Sequence, residues 1–385
     1  MNSLLLRSGT VVQPAVTMDR ASILIEKGRI ARIDQQDVAH ADLEIDCSTY
    51  RILPGFIDVH IHGSIGIDVM TATPDELNEV SRFLASQGIT SWLPTMVPAA
   101  DEEYRSAAAA IEKAWQDNSG ARIVGLHYEG PFVNSAQCGA LHGEHFKTYS
   151  APRDLDLLAL PQNAPVKMIT LAPEIEGGIE LVSELQRHGW IVSIGHTRAD
   201  ESILDQAFRA GARHMTHFMN AMPQLHHREP GPVGWGLSRD DVTCDIIADG
   251  IHLHPLTLRM LMRAKGPGGL SLISDAIAAA GKGDGDYQIW GETISVKDGR
   301  TSNAKGSIAG SVITMLDAVR TMHSIGATEV EIARMASTNP ARLLHLDHEC
   351  GSIEEGKRAD LVALDEQGEV KLTIVGGEIV YQPAD

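Results

Sequence analysis

The chain has 385 residues, 43% of them hydrophobic, which is enough for a large domain and a smaller companion. Its formal net charge of −19 at pH 7 argues against nucleic acids and anionic membranes as partners. The four cysteines are far apart, no segment has the roughly 20 apolar residues that span a bilayer, and no signal-like N-terminus is present, so we expect a cytoplasmic protein.

Both ends of the chain are predicted to form short strands. Near the N-terminus these cover residues 3–6, 22–25 and 29–33, and near the C-terminus residues 359–364, 370–375 and 378–381. A turn at Lys27 and Gly28 joins two of the N-terminal strands. The simplest arrangement is one small β-sandwich domain formed by residues 1–52 and 347–385, with residues 53–346 as a separate domain between them.

The middle of the chain alternates strands with amphipathic helices. The first helix has Thr73 as its N-cap, Pro74 as its first residue and an apolar stripe at Leu77, Val80 and Leu84, and further helices are predicted at residues 101–115, 180–187 and 201–210. Strands are predicted at residues 56–61, 89–94, 122–127, 166–171, 191–194, 213–215, 243–247 and 270–273. This pattern predicts an α/β fold, a TIM-like (β/α)8 barrel whose chemistry lies at the carboxyl ends of the strands.

Polar side chains follow most of the predicted strands. They are His60 and His62 after the first, Glu129 after the third, His196 after the fifth, His217 after the sixth, His252 after the seventh and Asp275 after the eighth. Histidines two apart on a strand face the same side. Nitrogen and oxygen ligands without a thiolate suit Zn, Fe, Mn, Co or Ni better than Ca or Mg. One histidine alone could equally be a buried core residue, but a divalent metal site, with zinc favoured, is predicted by six of these residues together, namely His60, His62, Glu129, His196, His217 and Asp275.

Asp275 is the best candidate for a general base. A carboxylate beside an activated water can take its proton and pass it to the leaving group. The alternative is that Asp275 only ligates the metal. Glu129 follows an apolar strand, where an unpaired carboxylate would be unfavourable and therefore needs a cation.

A donor-rich loop follows His217. It contains Asn220 and Ala221 and then the run from His226 to Gly231, in which Arg228 offers a planar group suited to phosphate or carboxylate. In so acidic a chain these donors indicate an anionic substrate. The alternative is a loop salt bridge between Arg228 and Glu229 or another acid.

Taken together, these motifs resemble the N-acetylglucosamine-6-phosphate deacetylases of the amidohydrolase superfamily. The resemblance extends over nearly the whole chain, in the same order, and is carried by PGFIDVHIHG at 54–63, HYEGPF at 127–132, GHT at 195–197, TH at 216–217, NAM at 220–222, REPG at 228–231, ADGIH at 248–252, SDA at 274–276 and GSIEEGKRADL at 351–361. It implies hydrolysis of the acetamide of an N-acetylhexosamine 6-phosphate to acetate and the amino-sugar phosphate. Two runs, LHHR at 225–228 and DVM at 68–70, also resemble the closely related N-acetylgalactosamine-6-phosphate deacetylases, so the configuration of the sugar at C4 stays open.

The resemblance also implies a role for each site residue. Glu129, His196 and His217 match the main metal ligands, and His60 and His62 match a pair that holds a second metal in some members, so one or two divalent ions are expected per subunit. Asp275 matches the catalytic acid/base. The expected substrate contacts are His252, Asn220, Ala221 through its backbone, Arg228, and Ala309 in the loop at 308–311. In the family this arginine reaches the neighbouring active site, which implies a homodimer.

One position departs from the family pattern. Many members carry Gly-x-His after the Glu-Gly-Pro motif, with the histidine polarising the amide carbonyl, whereas here the run is Gly139-Ala140-Leu141-His142. Either the loop shifts to bring His142 to the substrate, or the metal polarises the carbonyl alone. Two other functions stay open at this point: hydrolysis of a different N-acyl substrate such as an N-acyl amino acid, and an inactive barrel that serves as a scaffold or sensor.

Overall fold

The computed structural model describes residues 3–35, 40–116, 119–161 and 164–384. Residues 1, 2, 36–39 and 385 of the predicted terminal domain lie outside this description. The helices between and after the barrel strands are Pro74–Ser86, Asp101–Trp115, Gly178–Arg187, Glu201–Ala210, Gly231–Leu237, Pro255–Ala264, Met315–Ser324, Glu329–Ala333 and Asn339–Leu343, with a π-helical turn at Arg334–Thr338. No helix in the described part of the chain is long and apolar enough to cross a membrane.

The centre of the molecule is the predicted barrel. Its strands, from first to eighth, are Phe56–Ile61, Ile89–Met96, Arg122–Ile123 continued by Gly125–Glu129, Val166–Leu171, Ile191–Ile194, His214–Met215, Thr243–Ile247 and Leu270–Ile273. Each pairs in parallel with the next. The ring nearly closes where Ile61 bridges Ala276, and the backbone N–H of Asp275 donates to the carbonyl of His60 at 2.9 Å. The ends of the first and eighth strands therefore lie side by side.

The third strand differs from the prediction because it is interrupted. Val124 separates its two segments. Gly125, which begins the second segment, has a φ of +154°, and a Cβ at this position would lie 2.2 Å from the carbonyl oxygen of Val166. Only glycine fits so close to the neighbouring backbone. The interruption lets Gly125–Glu129 pair with both neighbours and carries Glu129 to the end of the strand.

The first helix confirms the predicted cap. The Thr73 hydroxyl accepts a hydrogen bond from the Glu76 N–H at 3.3 Å, and the Glu76 carboxylate accepts one from the Thr73 N–H at 2.7 Å. This reciprocal pair satisfies backbone donors that the first turn leaves free. Leu77, Val80 and Leu84 are buried against the barrel, as their spacing predicts.

Both chain ends join one eight-stranded sheet, so the two predicted β-rich ends come together as the sequence suggests, although as a single sheet and not as the two packed sheets of a sandwich. Its strands are Ser3–Val12, Thr17–Glu26, Arg29–Asp34, Leu43–Asp46, Arg51–Pro54, Leu361–Leu364, Val370–Val375 and Glu378–Tyr381. Residues from both ends, including Leu4, Ile23, Leu361 and Ile374, share one buried cluster. Arg51–Pro54 runs through Gly55 directly into the first barrel strand. The division at residues 52 and 347 stays a prediction.

A small three-stranded sheet after the eighth barrel strand is absent from the sequence prediction. Its strands are Gly285–Ile289, Glu292–Lys297 and Arg300–Ser302, each antiparallel to the next. A two-residue turn, Trp290 and Gly291, joins the first two strands. This turn places Trp290 at the carboxyl end of the barrel, where it contacts His62.

Candidate metal centre

Two groups of three buried side chains lie at the carboxyl ends of the barrel strands. The first group is His60, His62 and Asp275, and the second group is Glu129, His196 and His217. In each group the ligand atoms all lie within 4.8 Å of one another. The structure therefore brings together all six residues that the sequence singled out for the metal and the general base.

The second group is centred on Glu129. Its Oε1 lies 2.9 Å from Nε2 of His196 and 3.0 Å from Nε2 of His217, and these two nitrogens are 3.1 Å apart. The three side chains are 5% exposed or less, so their polar atoms face one another rather than water. Three ligand atoms aimed at one point are an arrangement suited to a metal ion.

The first group adjoins the second through Glu129. The Nε2 atoms of His60 and His62 are 3.1 Å apart, and Oδ1 of Asp275 lies 3.4 Å from the former and 3.2 Å from the latter. Glu129 also reaches this group, with Oε1 3.6 Å from Nε2 of His60 and Oε2 3.4 Å from Nε2 of His62. Glu129 thus lies between the two groups.

The backbone turns sharply where these side chains enter the site. His196, His217 and Asp275 have positive φ values of 48°, 30° and 50°. Such conformations are uncommon outside glycine and are concentrated at functional sites, where the surrounding structure holds them in place. Here they direct three strand-end side chains toward the barrel axis.

Backbone carbonyls fix the orientation of two of the imidazoles. Nδ1 of His62 donates to the carbonyl of Thr95 at 3.1 Å, and Nδ1 of His196 donates to the carbonyl of Gln137 at 2.8 Å. A proton held on Nδ1 leaves the Nε2 lone pair free for a metal. His60 and His217 have no such partner at Nδ1 among the described residues.

The carboxylates and imidazoles perturb one another strongly. Burial alone would lower the pKa of His62, but the Asp275 and Glu129 carboxylates outweigh it and raise that pKa to about 9. Burial would raise the pKa of Glu129 and of Asp275, yet His60 and the other imidazoles lower both. The carboxylates are therefore ionised at neutral pH, and the site attracts cations.

His127 is a buried histidine that belongs to neither group and is hydrogen-bonded like an ordinary core residue. Its Nδ1 donates to the carbonyl of Val59 at 3.0 Å, and its Nε2 bonds the Thr170 hydroxyl at 2.8 Å. Burial, aided by the nearby His60, keeps its pKa well below the usual range. His127 is thus a satisfied core residue whose ring packs against His60.

The donor set fits a divalent metal. Four imidazoles and two carboxylates converge in a buried site, with the ligand atoms of each group within 4.8 Å of one another, an arrangement in which a metal ion can satisfy several ligands at once. No described sulfur belongs to either group. The site therefore suits a borderline metal bound by nitrogen and oxygen.

Asp58 holds the backbone around the metal centre through hydrogen bonds, a role that was not predicted from the sequence. Its carboxylate accepts hydrogen bonds from the N–H of His60 at 3.2 Å and from the N–H and hydroxyl of Ser274 at 3.3 and 2.5 Å. It therefore ties the end of the first strand to the end of the eighth. Complete burial raises the pKa of Asp58 to about 7. The sign of this role in the sequence was that Asp58 lies two residues before His60.

A cavity of about 160 Å³ opens above the ligands. Several predicted substrate contacts line it, namely Asn220, Ala221 and His252, together with Leu141, Trp290, Ile308 and Gly310. Nδ1 of His252 lies 2.6 Å from the Asp249 carboxylate, whose pKa this partner lowers against the effect of burial. A donated Nδ1 proton fixes the His252 ring and directs Nε2 away from Asp249.

Three predicted contacts do not line the cavity of their own chain. Arg228 is exposed, and its guanidinium lies 2.8 Å from Nε2 of His227. His142 lies 3.3 Å from Glu144 and 3.6 Å from Glu292, so Leu141 takes the cavity wall instead. Ala309 is fully buried, and only its neighbours in the 308–310 loop reach the cavity.

Trp290 is a cavity residue that the sequence analysis missed. Its ring lies 5.3 Å from the His62 ring at 86°, and its backbone has a φ of +52°. A left-handed conformation costs a non-glycine residue about 1–2 kcal/mol. The Trp-Gly pair in a two-residue turn was the only available signal, and it is weak because such turns favour Asn-Gly or Asp-Gly.

Comparisons with known proteins agree with this architecture. A curated N-acetylglucosamine-6-phosphate deacetylase from Bacillus subtilis is 36% identical over 98% of this chain and 97% of its own. An N-acetylgalactosamine-6-phosphate deacetylase from Escherichia coli O157:H7 is 35% identical over 94% of this chain and 95% of its own.

A solved structure is also similar throughout. A mutant N-acetyl-D-glucosamine-6-phosphate deacetylase from Mycobacterium smegmatis, in complex with N-acetyl-D-glucosamine-6-phosphate, has a TM-score of 0.90 and 31% identity, covering 99% of this chain and 100% of that one. The model of the amidohydrolase family matches residues 51–380, which include every strand of the barrel. The chain belongs to the amidohydrolase family.

Proposed function

We propose that this protein hydrolyses the acetamide of an N-acetylhexosamine 6-phosphate, with N-acetylglucosamine 6-phosphate as the preferred substrate, to acetate and the amino-sugar 6-phosphate. The observation that carries this is the six-residue metal centre beneath a small cavity. The chain surrounding it is similar over nearly its whole length to N-acetylglucosamine-6-phosphate deacetylases.

The metal ligands follow from the two groups. Glu129, His196 and His217 would hold one divalent ion, and His60 and His62 with Asp275 would hold a second, so that one or two ions bind per subunit. Zinc is favoured, with Fe, Mn, Co or Ni as alternatives. When bound, such an ion supplies Lewis acidity, which polarises a carbonyl group and makes water more acidic.

Asp275 moves the proton. Its low pKa keeps the carboxylate ionised, so Oδ1 can accept a proton from the attacking water. The same carboxyl group then donates that proton to the amide nitrogen as the C–N bond breaks. Asn220, Ala221 and His252 line the cavity and orient the sugar phosphate above Asp275. Burial of the ligands excludes bulk water from this transfer.

Arg228 completes the phosphate site of a second subunit. It is exposed and absent from the cavity wall of its own chain, in keeping with a homodimer in which it reaches the neighbouring site. Mixing Arg228→Ala and Asp275→Asn subunits tests this. A mixed dimer has one site with both residues intact, so activity should exceed that of either variant alone. No gain after verified subunit exchange would contradict the dimer-spanning arginine.

The function itself is tested by acetate release. Purified protein with its metal content counted is given N-acetylglucosamine 6-phosphate, its galactose-configured epimer and unphosphorylated N-acetylglucosamine. We expect turnover of the phosphorylated sugars, fastest with the glucose configuration. Faster hydrolysis of the epimer would favour an N-acetylgalactosamine-6-phosphate deacetylase. No acetate from metal-loaded protein would reject the sugar phosphates and leave another N-acyl substrate.

The proposal includes the cytoplasm as the working compartment. The four cysteines are free, and Cys47, Cys244 and Cys350 are buried. Burial raises the pKa of each of these three thiols to about 12, so they are protonated and inert. Thiols without disulfide partners are typical of a reducing environment.

A further inference from the structure

The cavity above the metal centre has one apolar wall. We define the acyl wall as Leu141, Trp290 and Ile308, which line the cavity together. Leu141 is 8% exposed and forms a hydrophobic cluster with Val97 and Val133, against which Trp290 packs. Trp290 also packs on the cluster beneath the 308–310 loop, so its ring joins the two apolar surfaces.

The polar lining belongs to different strand ends. Asn220 and Ala221 follow His217 at the end of the sixth strand, and His252 follows the seventh. The acyl wall instead adjoins His62 at the end of the first strand, through the edge-on contact between the His62 and Trp290 rings. The cavity therefore offers hydrogen-bonding groups from the sixth and seventh strand ends, and mainly apolar surface, apart from the Trp290 indole N–H, from the acyl wall.

The conformation of Trp290 indicates that its side chain is used. The turn needs positive φ at both central residues, and Trp290 and Gly291 have values of 52° and 75°. A bulky side chain is poorly suited to this position on local grounds. Its presence there, on the cavity lining and with its ring against His62, indicates a function other than forming the turn.

The substrate has a matching asymmetry. An amide held at the metal centre carries the acyl chain on one side, which has no polar atoms, and the hydroxylated sugar phosphate on the other. Apolar groups favour apolar surfaces, while polar groups need hydrogen-bonding partners when buried. We propose that the acyl wall contacts the acyl group of the substrate and restricts that group to acetyl. Trp290 and Leu141 would be the residues that determine the acyl chain length, and this inference rests on the proposed function.

The test compares acyl chain lengths. The kcat/KM values of N-acetyl-, N-propanoyl- and N-butanoylglucosamine 6-phosphate are measured for the wild type, Trp290→Gly and Leu141→Ala. Glycine suits the φ of residue 290, and the second variant probes the wall from another loop. One methylene in an apolar pocket changes kcat/KM by about 10–200-fold. We therefore expect the butanoyl-to-acetyl ratio to rise at least about tenfold in both variants.

Two controls separate this role from others. Gln288→Ala alters an exposed residue of the same hairpin and should leave the ratio unchanged. Glucosamine 6-phosphate lacks the acyl group, so its inhibition constant should stay within about twofold of wild type in Trp290→Gly, a limit well below the tenfold change per methylene. A matching loss of product affinity would mean that Trp290 binds the sugar ring, and it would overturn the proposal.

The remaining outcomes are also decisive. Unchanged acyl ratios in an active wild type and active variants would reject the acyl wall and leave the deacetylase function intact. Failure of the metal-loaded wild type on all three acyl sugars would reject the proposed function, and the acyl wall with it.

Discussion

Replacing Asp275 by Asn tests the centre of the mechanism. Oδ1 of Asp275 lies 3.2 Å from Nε2 of His62 and 3.4 Å from Nε2 of His60, so an amide oxygen at the same place can still face the metal. An amide cannot accept the proton of the attacking water. Positioned acid/base groups contribute a factor of about 10²–10⁴ in rate, which corresponds to about 2.7–5.4 kcal/mol at about 1.36 kcal/mol per tenfold.

We therefore expect kcat to fall by about 10²–10⁴ in Asp275→Asn while metal content and KM change far less. The assay is acetate release from N-acetylglucosamine 6-phosphate, with metal counted on the same sample. Asp245→Asn is a matched control, because Asp245 is equally buried in the barrel but lies 2.9 Å from His214 instead of the ligands. It should lower the unfolding temperature and keep kcat. Near-normal turnover of metal-loaded Asp275→Asn would refute the assignment of the base.

Three further predictions concern the same site. The pKa of His62 in the metal-free protein is raised to about 9, whereas the pKa of histidine in an unfolded chain is about 6.5. The ion pairs of His62 therefore stabilise the fold fully below about pH 6.5, and this stabilisation is lost as the pH rises from about 6.5 to about 9. A metal must displace the His62 proton, so the apparent affinity of the protein for the metal should rise up to about tenfold per pH unit between pH 7 and 9. Calorimetry in buffers of different ionisation enthalpy measures the proton release. A metal affinity that does not change with pH would contradict the prediction. Gly310→Ala should reduce kcat and stability, because a Cβ would lie 2.6 Å from Ile277 Cγ2 and 2.9 Å from the carbonyl oxygen of Asp275. Gly306→Ala shares a positive φ but meets no atom within 4 Å, so its kcat should be unchanged, and equal losses in both would mean that backbone strain alone is responsible. Chelation should abolish activity and lower the unfolding temperature, with both restored by a divalent metal; full activity in demonstrably metal-free protein would reject a metal-dependent reaction.

The sequence predicted the site best where the strand pattern and the metal-binding residue types coincide. His60 lies near the end of the first barrel strand and His62 directly follows it. Glu129 ends the third strand and Asp275 lies just beyond the eighth, so parallel strands bring these side chains to one end of the barrel. The clustering was therefore predictable from the eight-strand pattern alone. The roles of the substrate contacts, by contrast, depended on family resemblance, because loop residues such as Asn220 follow no periodic rule.

What could not be predicted depends on contacts between distant residues. Gly125 begins the second segment of the third strand, where the Val166 backbone passes too close for a side chain. Asp58 looks like an ordinary strand residue until Ser274 is brought beside it. Trp290 lies in a short hairpin whose position over the barrel is set by packing against two separate clusters. None of these contacts has a local signature in the sequence.

The pairing of the chain's two ends has a consequence for its synthesis. Leu361–Leu364 pairs with Arg51–Pro54, and the latter continues into the strand that carries His60. While the ribosome is still translating the barrel, one edge of Arg51–Pro54 therefore lacks its partner, and open strand edges promote aggregation. Premature termination or proteolysis before residue 361 would leave that edge permanently exposed. Nascent chains should consequently depend on chaperones until the last strands emerge, and truncated products should be insoluble rather than partly active.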